Sequence, residues 1–107
     1  MDNKQIIEKA VCRNNNGAVL RTINVLRKSY NKLKVVREAV NGCGISEGEF
    51  IDAVNYLDLA DYITLRHIAL KKPVVFADAD YNELEAKLTA KGISLLAGVI
   101  ADPLVEV

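Results

Sequence analysis

The sequence predicts a single α+β domain, mainly α, and three observations lead there. A capping box, Ser46-Glu47-Gly48-Glu49, opens a stretch whose apolar residues recur at helical spacing. Tyr62–Ile68 is rich in β-branched and aromatic residues and alternates, as a strand does. Leu84, Ala86 and Leu88 alternate with Glu83, Glu85 and Lys87, which gives that strand a half-exposed partner. With 107 residues the chain is long enough for one core. It divides into an N-terminal helix and turn (1–16), a core (17–98) and a tail (99–107).

Taken in order, Ile6, Ile7, Ala10 and Val11 predict a short amphipathic helix over 3–12. The run Asn14-Asn15-Asn16-Gly17 predicts its end, with Asn16 as N-cap of the next helix. Val19, Ile23, Leu26 and Tyr30 form the stripe of a second helix over 18–30. Leu33, Val36 and Val40 follow in a short helix closed at Asn41-Gly42, with 32–35 alternatively an extended lead-in. After Ser46 the buried stripe is Phe50, Ile51, Val54 and Leu57, with Ile45 stapled onto Phe50. Residues 69–80 read as a long connection around Pro73, with brief pairing at 74–76. The span 81–88 has helical propensity as well as clean alternation, and the alternation decides for strand. Thr89 caps a last helix over 90–98 with Ile93, Leu96 and Ala97 inward, and the tail is extended.

Composition excludes several classes. There is no apolar run of the roughly 20 residues a membrane helix needs, so no membrane partner is expected. The N-terminus has no signal-peptide core, which makes a cytoplasmic location the expectation. Cys12 and Cys43 lie in no metal or redox spacing and are expected to be free thiols. His67 is the only histidine. Asp78 and Asp80 form a D-A-D without the other ligands of a calcium loop. No Gly-rich phosphate loop, H-E-x-x-H or G-x-S-x-G is present, so neither enzymatic chemistry nor a cofactor or metal is expected.

Net charge is zero but unevenly spread. Residues 1–44 carry nine basic and three acidic side chains, and 45–107 carry five basic and eleven acidic. The halves are therefore +6 and −6, which suits either a phosphate-binding face or head-to-tail association.

Two stretches, EFIDAVNYLDLADYITLR and EAKLTAKGISLLAG, carry a family resemblance. Leu57 followed by a turn and Tyr62-Ile63, and Leu88-Thr89 followed by Lys91-Gly92, resemble the third helix, wing strands and closing helix of a winged helix-turn-helix domain. The likeness spans 17–98 and is typical of small bacterial and prophage proteins. It implies a three-helix core, a two- to three-stranded antiparallel wing and a C-terminal helix. It further implies double-stranded DNA as partner, transcriptional control and binding as a homodimer. In that reading Asn55, on the third helix, pairs with adenine. Arg66, Lys71 and Lys72 of the wing, with Arg27, Lys28, Lys32, Lys34 and Arg37 around the first two helices, hold phosphates. Yet Ser46–Asp61 contains no lysine or arginine. The other expectation is therefore a protein-interaction or dimerisation module that uses Glu49, Asp52 and Tyr56 of the same helix.

Overall fold

The computed structural model describes residues 2–76 and 80–107, with Leu26 described in its backbone only. Asp78, half of the D-A-D, lies outside the described residues. Helix α1 runs from Asn3 to Ile23, opened by a capping box in which Gln5 N–H donates to Asp2 at 2.8 Å. It passes without a break through Asn14-Asn15-Asn16-Gly17, where the sequence predicts a turn. Three of these four residues make tertiary contacts. Asn15 Nδ2 donates to Glu49 Oε2 at 3.1 Å, and buried Asn16 donates through Nδ2 to the Leu104 carbonyl at 2.9 Å. At Gly17 a Cβ would stand 2.0 Å from the Glu106 carbonyl oxygen. The Asn-Gly run is thus a slot for the C-terminal tail, and tail docking outweighs a helix propensity cost of about 1 kcal/mol for glycine.

The expected helix over 18–30 stops at Ile23. Asn31 Nδ2 donates to the Ile23 carbonyl at 2.9 Å, and a single 3-10 turn, Asn24–Leu26, carries the chain away. Tyr30 therefore lies in the irregular segment after this turn and not on a helical stripe. Strand β1 is Asn31–Lys32, the extended lead-in; α2 follows as Leu33–Asn41, burying Leu33, Val36 and Val40. Helix α3, Glu47–Leu59, begins at the Ser46–Glu49 capping box and buries Phe50, Ala53, Val54 and Leu57. Ile51, expected in that stripe, sits one position off it and is exposed.

Strand β2, Ile63–His67, pairs antiparallel with β3, Leu84–Leu88, in the register Ile63↔Leu88, Leu65↔Ala86 and His67↔Leu84. β1 adds to the other edge of β3, so the sheet order is β1-β3-β2. Of the span 81–88, only 84–88 is strand; Tyr81–Glu83 form a 3-10 turn with Asp80 as cap. The connection before it touches back at Pro73, which bridges Arg66, and at Val74, whose N–H donates to Leu65 at 3.3 Å. Helix α4, Ala90–Leu96, buries Leu95 and Gly92 and packs half-buried Ile93 and Leu96 against the core, while Ala97, also expected inward, is exposed. Among the described residues the architecture is a small α+β domain of four helices and one three-stranded antiparallel sheet. No helix among them is long and apolar enough to cross a membrane.

The sequence Leu88-Thr89-Ala90-Lys91-Gly92 has a concrete job. Thr89 Oγ1 caps α4 by accepting from Gly92 N–H and donates to the Asp61 carbonyl at 2.6 Å. Lys91 Nζ donates to the Ala60 carbonyl at 3.0 Å. Gly92 lets the Tyr62 carbonyl approach so closely that a Cβ would lie 2.1 Å from it. All three fasten α4 to the turn between α3 and β2. Gly92→Ala should therefore lower stability in chemical denaturation by about 1–3 kcal/mol. Gly48→Ala, in open space on α3, should raise it by up to about 1 kcal/mol.

Candidate functional site

Charge divides the surface into two faces. The first is the outward side of α3. Glu47, Asp52 and Asn55 are exposed, and with Ile51, Phe76 and Asp80–Asn82 they line an open groove of about 580 Å³. Its walls carry carboxylates, while Ile51, buried Phe76 and Tyr81 supply apolar surface; Tyr81 packs edge-on against Phe50. Burial, with the nearby Asp61 charge, raises the Asp58 carboxyl above its ordinary value against a hydrogen bond from the Phe76 backbone.

Glu49 and Tyr56, expected on this outward side, are committed elsewhere. Hydrogen bonds from the Ser46 backbone and hydroxyl, and from Asn15, hold the Glu49 carboxyl below its ordinary value. Tyr56 is half-buried and its hydroxyl donates to Asp102 Oδ2 at 2.5 Å; Tyr62 donates to the same oxygen at 2.7 Å. Burial would raise the Asp102 carboxyl. The bonds from Tyr56, Leu104 N–H and Tyr62, with the Lys91 charge, outweigh it and hold the carboxyl below the ordinary aspartate value. In return, burial and then Asp102 push Tyr62 up to about 12 and Tyr56 further. Of the three acidic-face candidates, only Asp52 stands exposed.

The second face is the outer side of the sheet. Directly paired residues project to the same side, so the register Lys32↔Glu85↔Arg66 sets these three in one row, beside Thr64↔Lys87 in a row of the same facing. Arg66 Nε donates to Glu85 Oε1 at 2.6 Å, and Lys71 Nζ to the same oxygen at 3.0 Å. Glu85, expected to be outward and solvated, is buried beneath them. Burial alone would raise its carboxyl; the hydrogen bonds and charges of Lys71 and Arg66 bring it below the ordinary value. The Arg66 guanidinium stacks on Tyr30 at 3.6 Å, and Lys87 Nζ stands 5.9 Å from the same ring.

Arg27, Lys28, Lys32, Lys34 and Arg37 form no ion pair among the described residues. Arg27 is tied to Asn24 and Arg37 to Asn41 by hydrogen bonds. Lys72 is exposed at the hairpin end of the 69–80 connection. The structure thus brings Lys32, Arg66 and Lys71 together and keeps Asn55 with the acids. Lys87, Tyr30 and Glu85 join the basic face unforeseen, although strand alternation already put Lys87 and Glu85 on one side. His67 is structural: its Nδ1 accepts from Ala69 and Leu70 N–H, and its Nε2 lies 3.5 Å from Glu83. Cys12 and Cys43 are exposed free thiols.

A depressed carboxyl contributes stability that is present above its unfolded pKa and lost as pH falls through the folded one. For Asp102 and Glu85 that loss falls below about pH 4. Asp102→Asn should cost about 1–2 kcal/mol near neutral pH and make the acid limb of a pH–stability profile shallower. An unchanged acid limb would contradict the tyrosine–aspartate assignment. Scans against protein-family models, curated proteins and solved structures returned no match to this chain.

Proposed function

We propose that this chain is a protein-interaction module on a winged helix-turn-helix frame, and that α3 meets a cationic protein surface instead of the major groove. The frame is supported by the element order, with α2 and α3 joined by a short turn, the β2–β3 hairpin behind them and β1 on the far edge of β3. The observation that carries the function is the outward side of α3, where Glu47, Asp52 and Asn55 stand with no cation between Ser46 and Asp61. Affinity for a duplex comes from cations that release counterions at phosphates. Carboxylates at the groove-facing positions act against it. The hairpin cations that would compensate, Arg66 and Lys71, share the buried Glu85 carboxylate, which offsets one of their two charges.

A second reading has its own support. Lys28, Lys32 and Lys34 are exposed with no acidic partner among the described residues, and Lys87 extends that charge over the sheet. In this reading the duplex lies against β1, α2 and the sheet, and α3 stays out of the groove.

Fluorescence anisotropy with a labelled random-sequence duplex separates the two. The preferred reading predicts no saturable binding at moderate salt. Binding that falls steeply with salt and is lost in Lys32→Glu/Lys34→Glu would establish the second reading in its place.

A further inference from the structure

The first three turns of α1 bury no residue, and among the described residues the tail hydrogen-bonds to them only at Arg13, whose carbonyl accepts from Glu106 N–H at 3.2 Å. Residues 3–14 are all exposed, and the helix buries side chains only from Asn16 onward. On this arm Ile6, Ile7, Ala10 and Val11 form one apolar stripe; Ile6, Ile7 and Val11 are 51%, 62% and 42% exposed. At 3.6 residues per turn the stripe lies opposite the side on which Leu20 and Ile23 enter the core. Because the helix is continuous, the chain cannot turn the stripe inward. A helical segment of this length is marginal in water without an apolar face to pack on.

We infer that the stripe is covered by a second copy of this chain, the two arms lying antiparallel about a two-fold axis. Charge and shape favour this occupant. Ile7 and Val11 form one wall of a groove of about 250 Å³ whose other wall is α3, at Glu49, Asp52 and Ala53. Lys4, at the tip of the arm, is on the same side as this groove and 84% exposed, with only Glu8 of its own helix, 4.0 Å away and itself solvated, as an acidic partner among the described residues. Antiparallel pairing carries each tip to the base of the other arm, where Asn15 meets Glu49 and Asp52 stands exposed. Lys4 of each copy then faces Asp52 of the other. A net charge of zero opposes such association little, and the contact is isologous and closes as a dimer. The inference deepens the proposed function by naming a partner for the inner flank of α3, and rests on it only through Asp52.

Light scattering across a dilution series, without nucleic acid, tests it on the full chain. The expected mass is twice 11.8 kDa. Ile7→Glu should reduce it to the single-chain mass with an unchanged circular dichroism spectrum. Lys4→Glu should weaken the dimer about tenfold, and Lys4→Glu combined with Asp52→Lys should restore it. A single-chain mass for the native protein, or a dimer indifferent to Ile7→Glu, would overturn the inference. A charge swap that fails to restore would overturn the antiparallel register. Because no DNA is present, a dimer that also bound duplex would sink the proposed function and leave this inference standing.

Discussion

The carboxylate of Asp102 is the joint on which the arrangement depends. It receives one phenol from the middle of α3 and another from the entry to β2. Its other oxygen accepts Leu104 N–H, which turns the tail back toward α1. There Asn16 takes the Leu104 carbonyl, Arg21 takes the Glu106 carbonyl at 2.6 Å, and Gly17 leaves room for both chains to touch. Val105 is buried between these contacts. Hydrogen bonds to a charged acceptor are among the stronger ones, about 1.5–3 kcal/mol each. Two of them on one oxygen, in a half-buried site, fix where the tail must run.

Several features follow from that clasp. With the tail laid along its middle, α1 continues as one rod, and its first half is carried away from the core with an apolar stripe uncovered. With Tyr56 drawn inward, the exposed polar side chains on the outward side of α3 are Glu47, Asp52 and Asn55. On the far side of the sheet, one buried carboxylate, Glu85, gathers Arg66 and Lys71. Both faces are built largely from residues 45–107, so the +6 and −6 halves of the sequence do not map onto them.

Much of the fold was legible where a local rule has a single structural outcome. The Ser46–Glu49 box, the Thr89 cap and the alternation of Leu84, Ala86 and Leu88 each specify their element by short-range hydrogen bonding or burial. The misreadings share a cause, which is contact between residues far apart in sequence. Asn14-Asn15-Asn16-Gly17 has the composition of a turn, and nothing local says that Leu104 and Glu106 occupy it. The apolar stripes before and after that run are also out of phase, which mimics two helices. Glu85 alternates like a solvated residue, and only the hairpin brings Arg66 and Lys71 over it. Tyr56 has helical spacing for the outward side, but its hydroxyl follows Asp102, 46 positions away.

The clasp, the projecting arm and the proposed contact between two copies all require that α1 be continuous. Amide hydrogen exchange on the native chain tests that continuity most directly, read at residues 14–20. The account predicts slow exchange running unbroken through Asn16, Gly17 and Val19, as in the centre of a packed helix. Fast exchange confined to Asn14–Gly17, between two protected segments, would show a broken helix and contradict it.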